Sequence, residues 1–328
     1  MVPILSALLA HAAPAQDAPL TAEQVVADVD LAEAAYQRIH PGYTRYASAE
    51  DLAGAWQDIR DRGGMTVGEL YLAIESVLTL IRCDHTKAEL PAALREERKT
   101  EPVYLPVRWA WVEERGIIVD PGSTGLAEGA EIVAIDGVPL SERVAAVEGF
   151  IPYDGETVWS REVGISDSLE FKGGALDHFG ALLAWPDPQV TLTLRSADGV
   201  EHTETVDRIT YPQLEDLRAR SAPPGNFKDA VHFERIGETA GLLRVDTFVN
   251  YRDPVKPDTL YAPVFAAMAD EGRDTLILDL RSNGGGSGDA QVGLLSYLLD
   301  APERLYTDMQ VVTVGVGELA EHLWTWDS

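Results

Sequence analysis

The residues best suited to chemistry are Asn283-Gly284-Gly285-Gly286-Ser287, straight after an apolar run of Leu276, Ile277, Leu278 and Leu280. Three residues without side chains let the backbone take positive φ and come close to another atom. Their N–H groups can converge on an anion, as a concave nest or at a helix N-terminus. That anion is a phosphate, a carboxylate or the oxyanion of an acyl-transfer intermediate; the competing reading is a plain tight turn into a helix. A dinucleotide fingerprint starting at Gly284 needs glycine at position 289, where Asp289 stands, and no Walker pattern follows. Asp289 also breaks a Gly-x-Ser-x-Gly elbow around Ser287, so Ser287 reads as the first residue of a helix. A second cluster is Cys83-Asp84-His85-Thr86. A histidine beside an acid is a general base or, more plainly, a cap that answers the negative end of a helix. Nothing near Cys83 has a cysteine-protease pattern, so it reads as a small buried hydrophobe. His40, His178, His202, His232 and His322 show no acid or serine pattern beside them.

The elements that must position these residues follow from periodicity. Leu276 to Leu280 reads as a strand buried on both faces. Asp289 opens a helical pattern with Val292, Leu295 and Leu299 on one side and Leu294 and Leu298 beside them, ended by Pro302. Strand, glycine turn and helix is the form of a site at the carboxyl end of a sheet. Upstream, Ala240 to Phe248 reads as a strand and Asp258 to Gly272 as a helix, with Pro263 placing its start nearer Tyr261. Strand, helix, strand at this spacing predicts a right-handed crossover between parallel strands.

The run Leu276-Ile277-Leu278-Asp279-Leu280-Arg281-Ser282-Asn283-Gly284-Gly285-Gly286-Ser287 resembles the signature of the carboxy-terminal-processing (tail-specific) serine proteases, a group that includes the tricorn-type enzymes. The resemblance implies that Gly284, Gly285 and Gly286 are the candidates for a backbone oxyanion donor. Many members carry an Asp-Gly-His-Thr or Ser-His segment after a helical region, and in the tricorn-type branch that histidine is the general base. Here the segment is Cys83-Asp84-His85-Thr86, which departs from the commoner spelling and makes His85 the implied catalytic histidine. The family's nucleophilic serine lies beyond the glycine loop, after a further strand. Neither Gln310 to Val314 nor Leu323 to Ser328 has a strand-serine-helix pattern, and no catalytic lysine stands there. The resemblance therefore implies a fragment cut inside its catalytic domain and inactive alone. A homologue that binds peptides or another ligand without turnover is the alternative.

The 328 residues suffice for two or three domains. Acidic residues number 54 against 26 basic, a net charge of −28, which opposes binding to nucleic acid or anionic membranes. The one cysteine allows no internal disulfide, and no metal cluster with ligand spacing is visible, so no cofactor is expected. The apolar run Met1 to Ala10, with Ala13-Pro14-Ala15 as a cleavage site, reads as a signal peptide over residues 1–15 without its basic region, and predicts export to the periplasm or outside the cell. No other run is long and apolar enough to span a bilayer. Oligomeric state is not legible.

The fold class expected is multidomain α+β. Residues 16–102 read as a helical domain, with capping boxes at Thr21/Gln24, Ser48/Asp51 and Thr66/Glu69. Residues 103–207 read as a β module in which Gly125-Leu126 and Ile135-Asp136-Gly137 resemble PDZ-like domains. Such domains take a peptide as an added strand. The competing reading is a spacer that binds nothing. A helical stretch from Ser141 to Trp185 reads as an inserted cap over the cleft. Residues 208–328 read as the first part of a parallel α/β peptidase core. With the protease resemblance, the expected partners are polypeptide substrates.

Overall fold

The computed structural model describes residues 17–168, 170–184, 186–305 and 315–322. The signal-peptide residues 1–15 and the stretches Gln310 to Val314 and Leu323 to Ser328 lie outside them. The fold is mixed α+β, in two compact units, with residues 218–309 forming the second and the rest the first.

The first unit starts with β1 (Pro19–Leu20), α1 (Ala22–Ile39), α2 (Ala49–Asp61), β2 (Met65–Thr66) and α3 (Val67–Leu78). Each of these three helices opens on the capping box read from sequence, with the cap hydroxyl accepting the N3 amide and the N3 side chain answering the cap amide. The helix α3 is more central than a one-sided amphipathic pattern implies. Leu70, Ala73, Val77 and Leu78 pack with Val25, Leu52 and Trp56 in one cluster, while Tyr71 and Leu72 join a second. Helix α4 (Ala92–Thr100) leads to the strands β3 (Arg108–Val112), β4 (Arg115–Asp120), β5 (Glu131–Ile135) and β6 (Val138–Pro139). The turn between β5 and β6 puts Asp136 at φ 51° and Gly137 at φ 76°, the left-handed pair that a two-residue hairpin requires.

Helices α5 (Leu140–Glu148), α6 (Trp159–Ser166) and α7 (Gly174–Leu183) follow, then β7 (Gln189–Arg195), β8 (Glu201–Asp207) and α8 (Tyr211–Ala219). The antiparallel sheet runs β3-β4-β5-β7-β8, with β6 added to β5. The inserted helices pack on the sheet of their own unit. Ile165, Ala175, Leu176 and Phe179 share one buried cluster with Ile118, Ile132, Val190 and Leu192 of the sheet. Apolar side chains at these helical positions are used to cover a sheet face that would otherwise meet water.

The second unit holds β9 (Val231–Ile236), β10 (Ala240–Val245), α9 (Asp258–Asp270), β11 (Thr275–Asp279) and α10 (Gly288–Leu298). Its sheet runs β11-β10-β9; β10 pairs parallel with β11 and antiparallel with β9. Three sequence expectations need correction here. The strand β11 is not buried on both faces: Leu276 and Leu278 pack on the core, but Ile277 is 46% exposed, because among the described residues one sheet face is covered by α9 and α10 and the other is open. The buried stripe of α10 is Ala290 and Leu294, with Tyr297 beside them, whereas Val292, Leu295 and Leu299 face outward. The helix α9 starts at Asp258, not nearer Tyr261, and carries Pro263 inside it. A proline there removes one backbone donor, and the burial of Tyr261, Val264 and Met268 offsets the loss.

Candidate active site

The glycine loop is built by the strand ends it joins. Past β11, the Asn283 amide donates to the Leu280 carbonyl at 2.9 Å, and the Asn283 side chain donates to the Val245 carbonyl at the end of β10, also at 2.9 Å. The Asn283 side-chain oxygen accepts the Gly285 amide at 2.8 Å. Gly286 then forms a parallel bridge with Phe248: the Phe248 amide donates to the Gly285 carbonyl at 2.9 Å, and the Ser287 amide to the Phe248 carbonyl at 2.7 Å. In a parallel bridge the central residue's own N–H points away from its partner. The amides of Gly284 and Gly286 have no acceptor among the described residues, and both residues are exposed.

Gly286 sits at φ 141°, and a Cβ there would stand 2.2 Å from the Phe248 carbonyl carbon. No residue with a side chain fits. Gly285, at φ 100°, meets nothing within 4 Å, so glycine there serves the backbone angle alone. The loop runs into α10, whose cap residue Ser287 accepts the Asn250 amide on its hydroxyl at 3.1 Å. The Asn250 side chain is buried and donates to both the Val255 carbonyl, at 2.9 Å, and the Asp289 carboxylate, at 2.7 Å. The arrangement holds main-chain donors in fixed directions at a helix start, where the helix dipole also favours negative charge.

In the first unit, His85 lies on a turn closed by the Thr86 amide donating to the Cys83 carbonyl at 2.9 Å. Its ring is exposed and makes no hydrogen bond among the described residues. The backbone around it is fastened at nearly every residue. The Arg82 carbonyl accepts the Gly155 amide at 3.0 Å, and the Asp84 amide donates to Asp154 at 2.8 Å. The Lys87 ammonium donates to the Asp84 carbonyl at 3.2 Å and pairs with Glu170. The Tyr36 hydroxyl donates to the Lys87 carbonyl at 2.8 Å, and the Ala88 amide to Glu75 at 2.7 Å. Thr86 is buried under the turn, while Cys83 is half-buried against the helical core. Burial raises the Asp84 carboxyl above its ordinary value, opposed by the Lys87 cation.

Glu75, on α3, is fully buried, and burial lifts its carboxyl to about 8 against the pull of the Ala88 amide and Lys87. His178, on α7, is also buried, with its Nε2 3.1 Å from the Tyr71 hydroxyl; burial and the Arg98 cation hold it well below the ordinary histidine value, so it is neutral. One histidine-acid pair was not legible in the sequence. His232 Nε2 lies 3.2 Å from the Asp246 carboxylate, though without hydrogen-bond alignment. The register that pairs His232 with Arg244 brings them together, and only the alternation Val231, Phe233 hints at the strand β9 that carries the histidine. Among the described residues, no group of three histidine, cysteine, aspartate or glutamate side chains could hold a metal ion.

Residues 239–315, which include β10, α9, β11, the glycine loop and α10, match the family model Peptidase family S41. No curated protein sequence matches the chain with significance. Among solved structures, a mutant of CPAF aligns at 16% identity with a TM-score of 0.58, covering 84% of this chain and 59% of that one. Mature CPAF complexed with lactacystin aligns at 16% identity with a TM-score of 0.55 and the same coverage. Mature CPAF alone gives 16% identity and 0.51, over 81% of this chain and 56% of that one. At this identity the likeness is one of fold. The chain spans about three-fifths of the length of the first two structures it matches.

Proposed function

We propose that this chain is the amino-terminal part of a serine-type peptidase of the tail-specific group, in its tricorn-like branch, acting on extended polypeptides after export. The observation that carries the reading is the glycine loop: a segment matching a peptidase family, in which Gly284 and Gly286 present amides with no other acceptor among the described residues. In this role a loop amide stabilises the oxyanion of the tetrahedral intermediate, worth a factor of about 100 to 1,000 in rate per donor. Because the Gly285 amide already serves Asn283, Gly284 and Gly286 are the donors. His85 takes the proton of a serine that chain beyond residue 328 supplies and returns it to the leaving amine. The fastened turn around His85 supports this, since a base must be held in one place to act. The module around β3–β8 admits or presents substrate.

The test is labelling with a fluorophosphonate, which reacts with activated serines. The 328-residue chain stays unlabelled, and the chain extended through its downstream reading frame is labelled and cleaves an unfolded polypeptide. His85→Ala in the extended chain lowers both by about 1,000-fold or more. Full labelling of that variant excludes His85 as the base. Labelling of the 328-residue chain places the nucleophile inside it.

A further inference from the structure

A cavity of about 170 Å³ opens in the first unit between the turn before α2, the end of α3 and the helix pair α5 and α6. Its walls include Tyr46, Leu80, Arg82, Glu148, Tyr153 and Arg161. Guanidinium groups gather here around two tyrosine rings. Arg45 and Arg82 lie 5.4 and 5.9 Å from the centre of the Tyr46 ring, and Arg82 and Arg161 lie 5.9 and 5.0 Å from that of Tyr153.

Three like charges held close together repel one another, and in a chain of net charge −28 there is no shortage of acids to separate them. Yet among the described residues only Arg82 is paired, with the exposed Glu156 at 2.6 Å. Arg45 and Arg161 have no acidic partner among the described residues. The Arg161 Nε is buried and donates to nothing among the described residues, and a buried donor left unmade is costly. Arg82 adds backbone strain: it holds φ 53° and ψ 52°, a left-handed conformation uncommon for a residue with a side chain. Such outliers persist where the surroundings over-determine them, and they cluster at ligand sites. Glu148 also faces the cavity and makes no ion pair among the described residues.

We propose that this cavity binds a small carboxylate, with its oxygens on Arg161 and Arg82 and a short apolar tail against Leu80 and Ala47. Arginine presents a planar fork that matches a carboxylate. The volume is that of a small organic group, since an engineered cavity of roughly 150 Å³ takes up benzene. Glu148 repels a second negative charge, which disfavours phosphate and other dianions, and it accepts an ammonium group on the ligand. The site does not depend on the peptidase reading.

The experiment titrates 4-methylvalerate, its neutral amide, L-leucine and inorganic phosphate into the 328-residue chain at constant ionic strength, followed by calorimetry. The carboxylate saturates one site below about 10 mM and binds about tenfold or more tighter than the amide. Arg161→Met and Arg82→Gln, each with an unchanged circular dichroism spectrum, lose about tenfold or more in that affinity. L-Leucine binding more tightly than 4-methylvalerate identifies an amino acid as the source of the carboxylate; the reverse identifies a plain acid, and both support the site. Equal affinity for acid and amide overturns the proposal, as does tighter binding of phosphate or unchanged affinity in both variants. If neither variant folds, the comparison of acid with amide on the parent chain decides.

Discussion

The two glycines at the centre of the loop are different residues in physical terms. Gly286 is required by contact, because a Cβ would overlap the Phe248 carbonyl and the Val249 amide, at 2.4 Å, and part the bridge that seats α10. Gly285 is required only by its backbone angle, with open space where its side chain would go. Gly285→Ala should cost about 1–3 kcal/mol, the range for a strained backbone conformation. Gly286→Ala should cost more and broaden or abolish the second unit's unfolding transition. Chemical denaturation of both variants checks this, and equal losses would contradict the geometry. The run of glycines was legible in the sequence, but which one the fold cannot replace was not, because Phe248 lies 38 residues away and its approach depends on a parallel bridge.

At the scale of elements, local signals are legible in the sequence and long-range ones less so. The three capping boxes lie within four residues each and appear in the structure. The pair Asp136 and Gly137 turns the hairpin that its type requires. The outward faces of β11 and α10 are not legible there, because an apolar residue says it prefers burial without saying what is there to bury it. The centrality of α3 was equally hidden, and it has a measurable consequence through Glu75. In the folded chain that carboxyl titrates at about 8, against 4.5 when free. Between those values the unfolded chain gives up a proton that the folded chain keeps. Stability of the first unit therefore falls as pH rises from about 4.5 to about 8, and this contribution is level above that. Glu75→Gln keeps an oxygen for the Ala88 amide and removes the titration. Its melting midpoint should exceed the parent's by a margin that widens toward the alkaline end of that window, at about 2–4 °C per kcal/mol. A margin independent of pH would show that Glu75 is already ionised in the fold.

Over the whole molecule, charge and apolar surface are distributed unevenly. The chain carries a large negative excess, yet the first unit keeps an arginine cluster around its cavity and the second leaves Ile277, Leu280, Val292, Leu295 and Leu298 facing outward. No described helix is long and apolar enough to cross a membrane. The likeness to CPAF is one of fold and the peptidase-family match covers residues 239–315, while the charge, the cavity and the exposed apolar residues are features of this chain.

The strand β11 has β10 on one side and, among the described residues, no neighbour on the other. Peptide groups beside Ile277 that find no partner strand among the described residues are a template on which an extended chain can add, a second copy of this chain included. Concentrated solutions of the 328-residue chain should thus scatter light progressively. Ile277→Lys, which sets a like charge on every copy at that seam, should keep them clear without lowering the melting midpoint; clouding at the parent's rate would place the sticky surface elsewhere.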